Sequence, residues 1–167
     1  CQFDLYAPQG HARMFMPGSR PARSLRGHTD TVLEMMAKEL TYWGLDPEDF
    51  RDDPLRTREA LQAAKRERGA DMGYDFSHFH DAQLTDHFHY TIFPNISFSL
   101  KPDGCIWLRA DPHPTDPERC YFDMWYFTWF PEGKDRYYSY SMGEEVDRST
   151  PVPHKRGVVG ELSCGPG

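Results

Sequence analysis

Four of the eight histidines fall within twelve residues, His78, His80, His87 and His89, with Asp75, Asp81 and Asp86 close by. On a strand, residues two apart share a face. His87 and His89 therefore converge on one side with Thr91, while Phe88, Tyr90 and Ile92 take the other. Two imidazoles aimed at one space beside a carboxylate are the raw material of a two-His-one-carboxylate iron or zinc site. H-x-H alone is a weak motif, and three readings stand. The pair can be a polar strand edge or hydrogen-bonded interior histidines, it can bind metal, or it can line a substrate pocket without touching metal. Against the metal reading, adjacent Asp86 and His87 point to opposite faces of a strand. The four cysteines, Cys1, Cys105, Cys120 and Cys164, form no C-x-x-C and no C-x-H. Neither a zinc knuckle nor a Rieske-type half-site is present, and the cysteines are expected to be reduced, small and mostly buried.

These side chains need a frame. Gln2–Ala7 and Ala12–Met16 read as two short strands around Pro8-Gln9-Gly10, followed by a Pro/Ser/Arg loop over 17–27. Thr31-Val32-Leu33-Glu34 is a capping box, and Val32, Met35, Met36, Leu40 and Trp43 continue it as one apolar stripe of helical period ending at Gly44. A second helix is expected from the Asp53 cap, with Pro54 in its first turn, to Gly69. Its Arg56, Arg58, Lys65, Arg66 and Arg68 read as a solvated face, or as a dock for an acidic redox partner. His87–Leu100 reads as one long strand, and Lys101-Pro102-Asp103-Gly104 as a turn. Cys105–Ala110 and Arg119–Phe130 complete an antiparallel meander. In the last strand Tyr121, Trp125, Phe127 and Trp129 alternate with Phe122, Met124, Tyr126 and Phe130. That pattern predicts cover on both faces. Beyond Gly133 the sequence reads as polar and irregular.

The 167 residues suffice for one domain. With 26 acidic and 19 basic side chains the net charge is -7, which speaks against a nucleic-acid or anionic-membrane binder. No apolar run approaches the roughly 18 residues of a spanning helix. Apolar residues make up 38% and aromatic ones 14%, so the apolar content is carried by large rings suited to strands and a ligand-lined interior. No targeting signal is visible, and a cytoplasmic location is expected. The chain opens at Cys1 and closes on Cys164-Gly165-Pro166-Gly167, and reads as a piece of a longer one.

The run Asp86-His87-Phe88-His89-Tyr90-Thr91-Ile92-Phe93-Pro94-Asn95-Ile96-Ser97-Phe98 resembles a strand in the catalytic domain of Rieske-type aromatic-ring-hydroxylating oxygenases, alpha (large) subunit. His11-Ala12-Arg13-Met14, Gly104-Cys105-Ile106-Trp107, Asp111-Pro112 and Met124-Trp125-Tyr126 follow the same order. The resemblance covers most of 1–133. It implies an α+β fold, a partial helix-grip (START/SRPBCC-like) domain in which a curved antiparallel sheet carries helices on one face and grips a long helix. It implies that 1–167 is the middle of that catalytic domain, with the Rieske domain elsewhere. The implied function is hydroxylation of an aromatic or alicyclic ring with O2, as a dioxygenase or monooxygenase. Electrons would come from NAD(P)H through a ferredoxin or reductase.

The implied cofactors are a mononuclear Fe(II) and a Rieske [2Fe-2S] cluster with ligands outside this chain. No H-x4-H pair occurs here; the resemblance, which sets the ligands outside this chain, implies no metal-ligand role for any residue of it, and the segment alone is expected to be inactive. His87, His89 and Ser99 match substrate-pocket positions; His78 and His80 match none. A trimer-based homo- or hetero-oligomer is implied, with neither nucleic acid nor membrane as partner. Two rivals remain: a stand-alone helix-grip domain binding a hydrophobic small molecule without redox chemistry, and a self-contained metalloenzyme using His87, His89 and Asp86 or Asp75.

Overall fold

A computed structural model describes residues 2–6, 8–18, 34–139 and 144–159, with backbone alone at 34 and 35. Its frame is a curved antiparallel sheet of seven strands: β1 (Gln2–Tyr6), β2 (His11–Met16), β3 (His87–Ile92), β4 (Ile96–Lys101), β5 (Gly104–Pro112), β6 (Cys120–Thr128) and, at the far edge, β9 (His154–Val159). A separate ribbon pairs β7 (Arg136–Ser139) with β8 (Glu144–Asp147). The helices are α1 (Glu34–Tyr42), α2 (Thr57–Arg68) and the short α3 (Asp81–Thr85). The α+β, helix-grip-like architecture expected from the sequence is what the chain adopts. No described helix is long and apolar enough to cross a membrane.

Several expectations need correction. The single strand over His87–Leu100 is a hairpin, because the chain reverses at Phe93-Pro94-Asn95 and Pro94 has no N–H to give a ladder. Among the described residues the longest helix, α2, has 12 residues. The capping box at 31–34 and Val32 lie outside the described residues, as does the Met35 side chain. Of the α1 stripe, Leu40 and Trp43 are fully buried, and Gly44 closes the helix at φ +72°, a backbone state glycine adopts without steric cost. The stretch after Gly133, expected to be irregular, supplies three strands. The second apolar face of β6 is not sealed by a core among the described residues: Trp125 stacks on His154, and Phe127 stays exposed.

The compact core sits at the helical end, not under β6. Trp43 is its centre, with Tyr42, Tyr74 and Phe76 around the indole at ring separations of 5.5, 5.7 and 6.1 Å. Leu40, Leu61, Ala64, Leu84 and Tyr137 fill the remainder. The basic residues of α2, read as a solvated face or a partner dock, are instead its fastenings. Lys65 is 1% exposed and donates to Glu39 Oε1 at 2.6 Å and to the Leu84 carbonyl. Arg66 donates to the carbonyls of Phe76 and Phe79 and pairs with Asp81, and Arg68 donates to the Trp43 carbonyl.

Arg58 makes the strongest of these contacts. It grips Asp86 through two parallel bonds, Nε to Oδ1 at 2.7 Å and Nη2 to Oδ2 at 2.6 Å. The carboxylate is sealed from solvent, and the Gly18 N–H and Thr85 hydroxyl also donate to Oδ1. Such a bidentate charge-assisted pair is both strong and directional. A Cβ at Gly18 would stand 1.8 Å from the Thr85 carbonyl oxygen, so only glycine lets the chain pass here.

Removing one partner of a buried ion pair strands the other, at a cost of about 3–5 kcal/mol. Arg58→Met is therefore expected to lower the free energy of urea unfolding by about that amount. Arg51→Met, which breaks only an exposed pair with Glu48, is expected to cost less than about 1 kcal/mol. Equal losses in the two variants would refute the role given to Asp86.

Candidate functional site

Directly opposed residues of an antiparallel pair project to the same face, so the register defines what the sheet presents toward the helices. One row runs Met14, His89, Ser99, Ile106, Tyr126 across β2 to β6. A neighbouring row runs Ala12, Thr91, Ser97, Leu108, Met124, Lys155. Toward the helical end, Met16 pairs with His87 and Lys101 pairs with Gly104. Glu39 of α1 lies close enough to influence the charges of both His87 and Lys101, and Lys65 of α2 that of Lys101, which sets the helices beside the His87–Lys101 end of this face.

His87, His89 and Ser99 therefore share one face, with Pro94 confined to the turn between their strands. His89 Nδ1 and Ser99 Oγ share a hydrogen bond of 2.8 Å. This bond fixes the ring and leaves Nε2 without a partner among the described residues. His87 is half-buried, and burial, reinforced by the Lys101 ammonium, holds its pKa below the ordinary 6.5. Its imidazole is thus neutral at neutral pH. Around these polar atoms stand Met14, Ile106, Tyr126, Leu108 and Met124. Apolar side chains and a few hydrogen-bonding atoms thus share one surface of the sheet.

No group of three or more His, Cys, Asp or Glu side chains is placed to hold a metal ion among the described residues. The triad of the metalloenzyme rival is not assembled. Asp86 is turned to Arg58 and Gly18, and Asp75 accepts from the Ser77 N–H. His78 and His80 are exposed, with the His80 N–H donating to Gln83 Oε1 at the start of α3. Cys105 is buried and Cys120 half-buried, both as free thiols; Cys1 and Cys164 lie outside the described residues. A separate shallow hollow is lined by Ala37, Lys38, Thr41, Tyr42 and Tyr138, none of which belongs to the seven-stranded sheet.

The opposite face carries a different apparatus. Tyr90, Phe98 and Trp107 stack in succession at 5.2 Å. Asp123, fully buried, accepts from Arg156 at 2.7 and 2.8 Å, from Arg109 at 3.3 Å, and bonds His154 Nε2 at 2.8 Å. Arg156 holds its carboxyl far below the usual range. This network fastens β9 to β6.

Sequence parity set His87 and His89 on one face, and the family resemblance added Ser99, which the register places on that face. It missed Lys101, which had been absorbed into a turn. Once Pro102-Asp103 is taken as the two-residue tip, alternation places Lys101 with Ser99.

The expected acid response follows from His87. Protonation is disfavoured in the folded state, so the unfolded chain binds the extra proton first and stability falls as pH drops below about 6.5. His87→Gln is expected to reduce that loss between pH 7.5 and 5.5, read as the shift in urea midpoint. An unchanged midpoint shift would remove His87 as its source.

With the geometry described, comparison with known proteins adds one result. A family model described as the catalytic domain of the ring hydroxylating alpha subunit matches residues 9–139, well over half of the chain. No curated protein and no solved structure matches the chain.

Proposed function

The chain belongs to the family of ring hydroxylating alpha subunit catalytic domains, and on that premise we propose that it forms the substrate-pocket portion of a Rieske non-haem iron oxygenase. The family makes the parent protein an oxidoreductase that hydroxylates rings. In the proposed reaction an aromatic or alicyclic ring is hydroxylated with O2, and NAD(P)H supplies electrons through a ferredoxin or reductase to an oligomeric alpha subunit. The iron and the [2Fe-2S] cluster would be held by residues outside those described, since the described side chains gather no ligand set. No chemical step is therefore assigned to this segment. Its part is to bind the ring, orient it and keep water away, which is the protein's share of cofactor chemistry.

The observation that carries this reading is the set of polar atoms on the His87–His89–Ser99 face of the sheet. His89 and Ser99 are locked together at 2.8 Å within the family-matched stretch, flanked by Met14 and Ile106. A ring lying there would meet apolar side chains on most of its surface and the free His89 nitrogen at one edge. Substrates bearing a hydroxyl, carbonyl or carboxylate would satisfy that nitrogen, whereas a bare hydrocarbon would leave it unpaired. An unsatisfied buried polar group costs about 1–3 kcal/mol, equivalent to roughly ten- to a hundredfold in kcat/KM.

His89→Ala in the complete protein tests the assignment, with iron content and a ring-substrate panel as readouts. Unchanged iron with preference moved ten- to a hundredfold toward unsubstituted rings is the expected result. Loss of iron with uniform loss of activity would mean that His89 is a ligand, not a pocket wall.

A further inference from the structure

The function proposed above leaves one charged group of the same face unused. Lys101 ends β4, two residues beyond Ser99 on the same side, so the two Cα atoms are about 6.5–7 Å apart. It follows directly on the Phe88–Leu100 pair, which sets it next to His87. Its partner across β5 is Gly104, which has no side chain to cover it.

The charges around Lys101 are Glu39, Asp103, Lys65 and His87. The carboxylates among them are engaged elsewhere. Lys65 holds Glu39 at 2.6 Å, and Asp103 accepts from the hydroxyls of Tyr137 and Ser139 at 3.2 and 3.3 Å. Among the described residues no acceptor bonds the Lys101 ammonium, although it is largely withdrawn from solvent. Burial pulls its pKa below the ordinary lysine value. A cation in that position gains from an anion that reaches it, because electrostatic attraction strengthens where water is scarce. His87, neutral beside it, can add a hydrogen bond without competing as a second cation.

We propose that Lys101 is a specificity-determining residue that selects ring substrates carrying a carboxylate, with the acid group against the Lys101 ammonium and the ring extending over Ser99 and His89 toward Ile106 and Tyr126. This rests on the pocket reading above and refines it from polar-substituted rings to ring carboxylates. Lysine serves here as a compact point charge able to meet a carboxylate oxygen from several directions.

The test compares equilibrium binding of benzoate with that of benzamide, its neutral counterpart of nearly equal shape, to the complete protein by calorimetry. The wild type is expected to prefer benzoate by about tenfold to a hundredfold, the range one hydrogen bond to a charged group supports. Lys101→Met is expected to abolish that preference while leaving benzamide binding unchanged, and Lys101→Arg to retain part of it. Equal affinity of the wild type for the two ligands would overturn the role of Lys101 and leave the ring pocket standing, and this comparison needs no variant to fold. A benzoate preference that survives in Lys101→Met would place the anion site elsewhere. If neither ligand binds, the pocket reading and its refinement fall together.

Discussion

The fold turns on a buried carboxylate. Asp86 stands at the head of β3, where α3 ends and the sheet resumes, and its two oxygens take bonds from Arg58 of α2, the Gly18 backbone beyond β2, and Thr85. One residue thus ties the helical layer to two adjacent strands of the sheet. A sealed carboxylate tolerates no loose arrangement, because any unfilled acceptor there is costly. The next residue is His87. The clamp that joins the layers also fixes where β3 begins, and with it the parity that sends His87 and His89 toward the helices.

A second buried carboxylate does the comparable work on the opposite face. Asp123 lies in the middle of β6 and draws in Arg109 from β5 and Arg156 and His154 from β9. Arg109 in turn stands over the Trp125 ring and Arg156 over that of Tyr121. The outward rings of β6 therefore need no buried core above them: cations and neighbouring rings cover part of Tyr121 and Trp125, and Phe127 stays exposed. The two faces divide the labour. The outer one is fastened by charge, while the inner one combines apolar side chains with a few polar atoms suited to a ligand.

That division bears on function. A ring-hydroxylating oxygenase needs a dry, shaped space beside its metal, and the family match places residues 9–139 in that catalytic domain. One face of the sheet brings Met14, Ile106, Leu108, Met124 and Tyr126 together with the His89–Ser99 pair, His87 and Lys101. Every polar group here sits on a strand held on both sides by neighbours, so its position is set by ladder register.

Local pattern was enough for the strands β1, β2, β5 and β6, the burial of Leu40 and Trp43, and the shared face of His87 and His89, while the class of fold and Ser99 came from the family resemblance. The local cues are alternation of period two, a stripe of period 3.6 and a turn-forming pair. What only the tertiary structure decided depends on partners far apart in the chain. The cations of α2 look like a solvated face until Glu39, Asp81 and Asp86 are brought to them. His-Lys-Arg-Gly-Val-Val at 154–159 has no alternating apolar pattern and becomes β9 because Asp123, some thirty residues earlier, needs Arg156 and His154. Lys101 reads as part of a surface turn until the register of β4 and β5 puts it on one face with Ser99. Apolar periodicity is written residue by residue along the chain, whereas the satisfaction of a buried charge is a pairwise condition that exists only once the partners meet.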